Sequence, residues 1–239
     1  TGIGSIDSTG SVNTTSGFSI ITFTGNGTAG ATVAHGLSAI PKCILLKVYS
    51  SATAYDWRVY HASLGATKSM ILNDTSAATT ATNKWNDTEP TSSVFSLGNT
   101  SGTNESGSGI VAYCFADVQG YSKFGSYVGN GSTDGTFIYT GMRPAFVMTK
   151  RTDASSEWVM FDNKRDSFNQ VQKFLQPDSS SAEGNDNGTS SGKQIDFLSN
   201  GWKMRGTTAG MNASGGSYIY MAFAENPFVT STAIPACAR

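Results

Sequence analysis

Two carboxylates occupy the same place in two similar segments of the sequence. Asp117 follows VAYCFA and Glu225 follows YMAFA, and both runs have the composition of a strand. Glycosidases need two carboxylates on opposite sides of a bound sugar. A carboxylate directly after a strand also serves simply to end that strand in water. The sequence therefore allows two interpretations of Asp117 and Glu225. They are either strand ends or a polar ligand-binding site that is repeated in each segment.

Trp85 is the tryptophan whose surroundings are most polar, within TNKWNDTEP. Aromatic rings on β-sandwiches serve as stacking platforms for sugars, since one side of the ring is apolar and wide. We therefore predict Trp85 as a ligand-binding residue, with core packing as the alternative. Trp57 and Trp158 stand in equivalent strand segments and are predicted core residues, whereas Trp85 and Trp202 form a second candidate pair of equivalents.

Nucleophilic catalysis finds no support in the sequence. The chain has two histidines, His35 and His61, and they align with Thr140 and Asp162 in the second half. A triad needs a nucleophile, a base and an orienting group. GTSSG around Ser190 has the GxSxG spacing but lies in a Ser/Gly-rich stretch without the strand–turn–helix context of that motif. The sequence therefore predicts a protein that is not an enzyme.

Metal sites are not indicated by spacing. Asp134, Asp153 and Asp186 lie in oxygen-rich loops, which leaves calcium as an alternative, but EF-hand spacing does not occur. No cofactor is predicted.

The charge balance and the cysteines exclude further classes. Sixteen basic and seventeen acidic residues nearly cancel, and nucleic-acid-binding proteins usually carry a basic stripe. No apolar run approaches the ~18 residues of a spanning helix. We expect neither nucleic-acid binding nor membrane insertion. Cys43 and Cys114 lie in apolar runs and are predicted to be buried, Cys237 lies in the tail, and the absence of CxxC argues against zinc.

The two halves of the chain repeat each other, which is the sequence signature of a duplicated unit. Six blocks recur in the same order, including the Trp and aromatic segments that chance similarity in a Ser/Thr/Gly-rich chain does not explain. We predict a linker or arm at 1–16, a first β-sandwich unit at 17–119, a second at 120–228 and a tail at 229–239. The paired blocks are 17–19 with 120–122, 24–28 with 128–132, 35–37 and 41–42 with 140–142 and 144–145, Lys47 with Lys150, 57–61 with 158–162, and 112–117 with 220–225.

The elements that position these residues are mostly strands. Runs of β-branched and aromatic residues separated by Gly, Asn and Ser clusters predict antiparallel strands joined by turns. A helix is predicted at 166–177, and long surface loops at 99–109 and, as its equivalent, at 177–192. The fold class is an all-β antiparallel sandwich, jelly-roll-like, with one large or two tandem sandwiches left open. Strands are predicted at 18–25, 42–49, 56–62, 109–118, 145–151, 157–163 and 217–226, with 109–118 and 217–226 central.

Several of these blocks resemble a family of virion proteins from marine tailed bacteriophages. The blocks are GFSIITFTGNGTAGATVAHGL, DWRVYHASLG, VAYCFADVQGYSKFGSYVGNGS, EWVMFDNKRD and YIYMAFAENPF, and they cover nearly the whole chain. The resemblance implies a tail-fibre or structural protein with a concanavalin-like sandwich, exposed on the particle. It further implies contacts with other virion proteins, attachment to a host-surface glycan, and a homo-oligomer, with a trimer favoured. A capsid or tail decoration protein without receptor binding is the alternative, and an envelope polysaccharide depolymerase is a third.

Overall fold

A computed structural model describes residues 2–186 and 192–226 of the chain. They form an all-β protein whose strand ladders are antiparallel, which confirms the predicted fold class. The chain divides into two compact units, each with its own hydrophobic core. Unit 1 comprises Thr1–Asn73 and Ala78–Asp117, and unit 2 comprises Asp74–Ala77 and Val118–Arg239. The predicted tail at 229–239 lies outside the described residues.

Unit 1 contains a seven-stranded sheet and a two-stranded sheet. Its elements are β1 (Ser8–Asn13), β2 (Phe18–Thr24), β3 (Ala31–Ala34), β4 (Cys43–Val48), β5 (Arg58–His61), β6 (Lys68–Ile71), β7 (Thr79–Thr80), α1 (Thr82–Trp85), β8 (Val94–Leu97), α2 (Ser101–Asn104) and β9 (Gly109–Phe115). The large sheet has the order β1-β2-β9-β4-β5-β6-β7, so β9 is central, as predicted. Alternation in β9 turns Ile110, Ala112 and Cys114 toward the core.

The predicted linker at 1–16 is wrong, because this segment belongs to the first unit. Ser8–Asn13 forms the edge strand β1, paired along its whole length with β2. Ile6 is buried in the core of unit 1 and bridges to Val33. The low hydrophobicity that suggested a linker instead reflects an edge position, where five of the six residues of β1 are exposed.

Unit 2 contains a four-stranded, a three-stranded and a two-stranded sheet. Its elements are β10 (Ser122–Val128), β11 (Phe137–Tyr139), β12 (Pro144–Arg151), β13 (Trp158–Asp162), β14 (Lys173–Phe174), β15 (Gly184–Asn185), β16 (Ile195–Leu198), β17 (Gly201–Met204), α3 (Ala209–Asn212) and β18 (Ser217–Ala224). The order β10-β18-β12-β13 corresponds to β2-β9-β4-β5, and β11-β17-β16 contains the counterpart of the pair β3-β8. As predicted, β18 lies inside its sheet.

The helix predicted at 166–177 does not form. Val171 bridges to Ile195 and Leu175 bridges to Met160, so the segment is held in extended conformation by neighbouring strands. Phe168, predicted to share the apolar helix face, is 84% exposed. Sheet pairing satisfies the backbone groups that a helix would have satisfied internally.

The loop at 99–109 is also more structured than predicted. It contains α2, and Gly102, Thr103 and Asn104 are buried. Its structural counterpart in unit 2 is α3, which likewise precedes the closing strand, and not the predicted segment 177–192. Residues 187–191 of that segment lie outside the described residues.

One buried asparagine in each unit explains why these loops recur. The Asn104 Oδ1 accepts the Asn26 backbone N–H at 2.9 Å, and its Nδ2 donates to the carbonyls of Thr28 and Gly98, both at 3.0 Å. The Asn104 side chain is fully buried. Asn104 therefore links the GNG segment (25–27) after β2 to the loop before β9.

Asn212 makes the same connections in unit 2. Its Oδ1 accepts the Asn130 backbone N–H at 3.0 Å, and its Nδ2 donates to the carbonyls of Ser132 at 2.8 Å and Gly206 at 3.0 Å. The GNG segments at 25–27 and 129–131 are thus loop segments, each held by a buried asparagine. The sequence blocks at 24–28 and 128–132 occupy equivalent places in the two units.

Candidate ligand-binding face

Trp85 does not offer a face to a ligand. It ends α1 with 2% of its surface exposed, and its ring packs edge-on against Tyr60 at 5.8 Å between centroids. The prediction of Trp85 as a ligand-binding residue is therefore wrong, because a buried indole cannot stack on a sugar. Trp85 is also no counterpart of Trp202, which lies in β17; Phe95 on β8 takes that place in unit 1.

Asp117 and Glu225 lie after the closing strands of different units. Glu225 forms an ion pair with Arg143, with 2.7 Å between Oε2 and Nε, and its backbone N–H bonds to the Arg143 carbonyl. This supports the interpretation of Glu225 as a strand end. Asp117 is half-buried two residues beyond β9. A ligand-binding role for the pair stays a prediction.

The two histidines are used by the backbone around them. His35 is fully buried, its Nε2 lies 3.1 Å from the Thr91 carbonyl and its Nδ1 accepts the Leu37 N–H at 3.2 Å. Burial lowers the pKa of His35, so the ring stays neutral. The His61 Nδ1 accepts the N–H of Ser63, two residues ahead.

Asp162, the counterpart of His61, makes the same type of turn. Its Oδ1 accepts the N–H groups of Lys164 and Arg165 at 2.9 and 2.8 Å, and its carboxylate pairs with the Arg165 side chain. The segment FDNKRD (161–166) is therefore a turn closed by an ion pair. The GxSxG-like Ser190 lies outside the described residues.

The exposed side of β11 carries an arrangement that the sequence reasoning missed. Phe137 and Tyr139 are 43% and 66% exposed, whereas Ile138 between them is buried in the core. Residues two apart in a strand share a face and lie about 7 Å apart. The Phe137 ring lies over Gly201 of β17, where an added Cβ would come within 3.0 Å of the ring carbon Cε2. Two apolar rings are therefore presented side by side to solvent.

A network of four charged side chains lies beside these rings. Phe137 pairs with Lys203 across the sheet, and the Lys203 Nζ lies 2.5 Å from the Asp134 Oδ1. The same Asp134 oxygen lies 3.6 Å from the Arg205 Nη1, and the Arg205 Nε lies 2.5 Å from the Asp196 Oδ2. We call the set of Asp134, Phe137, Tyr139, Asp196, Lys203 and Arg205 the β11 face.

The two carboxylates of the β11 face differ in their environment. The Asp196 side chain is only 8% exposed, so its carboxylate binds the Arg205 guanidinium on the side that faces the protein interior. The Asp134 side chain is 81% exposed. The hydrogen bond from Lys203 and its positive charge lower the pKa of Asp134, with a smaller effect of Arg205, so the carboxylate is ionised at neutral pH. The network has two positive and two negative groups.

Unit 1 does not repeat this face. The non-core positions of β3 are Thr32 and Ala34, and the adjacent Ile6 bridges to this strand. The rings and charges of the β11 face are therefore not required by the shared fold. The sequence signal was the short alternating run Phe-Ile-Tyr, which is too short to separate an exposed platform from a core strand.

Among residues 2–186 and 192–226, no group of three or more His, Cys, Asp or Glu side chains has the geometry to hold a metal ion. Of the aspartates considered for calcium, Asp134 pairs with Lys203, Asp153 with Arg151, and Asp186 accepts the Lys193 N–H. Within the same residues, no helix is long and apolar enough to span a membrane.

The fold and the β11 face define a β-sandwich-like protein of two compact units with an exposed aromatic and ionic surface. The chain belongs to a family described as a domain of unknown function (DUF7483), whose model matches residues 1–227. No curated protein and no solved structure matches the chain.

Proposed function

We propose that this chain is a non-enzymatic surface module of a tailed-bacteriophage particle that attaches to a glycan of the host surface through the β11 face. The exposed pair Phe137 and Tyr139 carries the proposal. Sugar rings bind proteins by placing their apolar C–H faces on aromatic rings, while charged and polar groups nearby bind the hydroxyls. The β11 face combines both kinds of group on one small sheet.

Two further observations support this function. Large exposed apolar side chains beside polar groups mark interaction surfaces when the fold does not need them, and unit 1 builds the corresponding strand with Thr32 and Ala34. The sequence blocks that resemble marine phage virion proteins supply the particle context. A homo-oligomer, with a trimer favoured, would multiply weak sites into avid binding.

The test is a titration of fluorophore-labelled protein onto a panel of marine bacteria, with an unrelated β-sandwich as the reference. We expect saturable binding that soluble envelope polysaccharide competes away. Replacement of both Phe137 and Tyr139 by Ala removes two stacking contacts of about 1 kcal/mol each, which weakens binding by about 30-fold.

The matched control is Phe168→Ala, since Phe168 is an aromatic residue of unit 2 outside the β11 face and is 84% exposed. This variant should bind as the unchanged protein does. Equal binding by the Phe137/Tyr139 double variant and the Phe168 variant would refute the proposal. Reducing sugar released during the incubation would instead favour the depolymerase.

A decoration or structural role is the second candidate, and the edge strand β1 favours it. Five of its six residues are exposed, it ends the seven-stranded sheet, and STGSVN contains neither charge nor proline. Natural edge strands usually carry such residues because an open edge pairs with other strands. This role predicts binding to particles lacking the protein and no binding to cells, which the same labelled protein can measure.

A further inference from the structure

We propose that the ligand of the β11 face is an acidic glycan, and that Asp134 occupies the place where a sugar carboxylate binds. The inference rests on the proposed glycan-binding function and adds the chemical class of the ligand. The observation behind it is that Asp196 and Asp134 both contact Arg205, but Asp196 is almost buried whereas Asp134 is exposed.

Asp196 is the fixed carboxylate of the pair. Its side chain is almost buried, and the Arg205 Nε lies 2.5 Å from its Oδ2. Breaking such an ion pair leaves an uncompensated charge in the protein and is strongly unfavourable. The Asp196–Arg205 pair therefore stays in place when a ligand binds, and it orients the guanidinium toward the surface.

Asp134 is the exchangeable carboxylate. With 81% of its side chain exposed, it bridges the Lys203 Nζ at 2.5 Å and the Arg205 Nη1 at 3.6 Å. Exposed ion pairs contribute little, because water solvates both partners nearly as well when they separate. The Asp134 backbone N–H donates to the Ser132 Oγ and its backbone carbonyl accepts from the Asn130 Nδ2, so these two bonds do not restrain the side chain, which can rotate away.

An incoming carboxylate would take over both cations. Lysine and arginine side by side form a recognition pair for a carboxylate, and guanidinium hydrogen bonds to carboxylates are among the stronger ones in proteins. Phe137 lies opposite Lys203 in the sheet, with Tyr139 two residues further. A chain of sugar rings stacked on the two aromatics would thus place an acidic substituent at Lys203 and Arg205.

A neutral glycan would gain little from the two cations of this network. It could bind the rings and the hydrogen-bonding groups, but it could not replace the charge of Asp134 between two cations. The carboxylate of Asp134 keeps the empty site neutral and has to be displaced by the ligand. It acts as an internal competitor, so its removal should strengthen the binding of acidic ligands and leave neutral ones unaffected.

The experiment compares three polysaccharides with the purified protein: alginate, which carries carboxylates, dextran, which is neutral, and dextran sulfate. Asp134→Asn removes one negative charge about 4 Å from the bound anion, which corresponds to about a fivefold lower Kd for alginate at low salt. The gain should shrink at 1 M salt, where the screening length is about 3 Å. Lys203→Gln should weaken alginate binding and remove the gain.

Asp153→Asn is the matched control, since Asp153 also pairs with an arginine in unit 2, at 2.8 Å from Arg151. It should leave the alginate Kd unchanged. Equal Kd values for alginate before and after Asp134→Asn would overturn the inference, as would a preference for dextran. A gain for dextran sulfate without one for alginate would keep the acidic ligand, overturn the assignment of a carboxylate and identify sulfate as the ligand group.

The result separates this inference from the proposed function. If the Phe137/Tyr139 double variant loses binding but Asp134→Asn leaves the Kd unchanged, the glycan function is kept and the acidic ligand is rejected. Failure of the unchanged protein and of Asp134→Asn to bind any polysaccharide or bacterial cell would reject both. Circular dichroism of each variant verifies that the exposed substitutions leave the fold intact.

Discussion

Removal of the Asn104 side chain tests whether one buried amide holds the end of unit 1 together. In Asn104→Ala, the Gly98 carbonyl loses its donor in a buried position, and an unsatisfied buried acceptor costs about 1–3 kcal/mol. The Asn26 N–H and the Thr28 carbonyl also lose their partner, but both residues are exposed and water replaces it. These two bonds add about 0.5–1.5 kcal/mol each. We expect a total loss of about 3 kcal/mol in the free energy of unfolding.

Urea denaturation followed by tryptophan fluorescence measures this loss, and hydrogen exchange locates it. The amides of residues 25–28 should exchange faster in Asn104→Ala, while those of 129–132, held by Asn212, should not change. Asn212→Ala should give the reverse pattern with a similar loss, because Asn212 makes the equivalent bonds.

Asn99→Ala is the control, since Asn99 is exposed and lies five residues before Asn104. Exposed substitutions usually change stability by less than about 0.5 kcal/mol. A loss in Asn104→Ala no larger than that of Asn99→Ala would refute the role assigned to the buried amide. Asn104→Asp should not rescue it, because a carboxylate oxygen would then face the Gly98 and Thr28 carbonyls.

Three further predictions concern His35, Gly201 and the cysteines. Burial holds the pKa of His35 below its usual 6.5, so the unfolded chain takes up the proton first as the pH falls. The urea concentration at the unfolding midpoint should therefore decrease as the pH is lowered below about 6.5. His35→Asn keeps an acceptor for the Leu37 N–H and should remove the contribution of His35 to this pH dependence. An unchanged pH dependence in His35→Asn would contradict the prediction. Gly201→Ala places a Cβ 2.1 Å from the Ile138 carbonyl oxygen and should lower Tm, whereas Gly102→Ala, with 3.4 Å to its nearest neighbour, should be tolerated. Burial raises the pKa of the Cys114 thiol to about 12 and raises that of Cys43 further. Maleimide at pH 8 should therefore label neither cysteine until urea is added, which peptide mass spectrometry can measure. Labelling of either cysteine in the native protein would contradict the prediction, because it would show that the core around the cysteine becomes accessible.

Local sequence pattern predicted the strands well where it was long and apolar. The run 18–25 became β2, 42–49 became β4, and the two closing runs became the central strands β9 and β18. A run of β-branched and aromatic residues favours extended backbone whatever lies next to it. Turn residues at the ends of these runs set their limits to within three positions, the largest difference being the end of β9 at Phe115.

Pattern failed where pairing partners decided the outcome. The segment 166–177 has an apolar spacing compatible with a helix, but Val171 and Leu175 bridge to Ile195 and Met160, which lie 24 and 15 residues away in the chain. Helix propensity is a weak preference that such contacts readily override. The arm predicted at 1–16 failed for the same reason, since β2 offered an edge to Ser8–Asn13.

The candidate site shows the limits of residue-type reasoning more sharply. The polar sequence neighbours of Trp85 predict an exposed ring. In the structure, the short helix α1 places the ring in the core beside Tyr60. Asp134 and Lys203 lie 69 residues apart in the chain, and only the pairing of β11 with β17 brings Asp134 and Phe137 next to Lys203. No local signal distinguishes Phe137 and Tyr139 from strand residues that face a core.

The amino-acid sequence by itself determined the all-β class, and it showed the repeated blocks and no recognisable catalytic motif. These properties follow from composition, periodicity and repeated blocks, each of which is read within a few residues. Tertiary structure alone decided which aromatic rings are buried, which face water, and which charges meet at the β11 face. Burial and ion pairing depend on strand order and register, and these bring together residues that the chain keeps far apart.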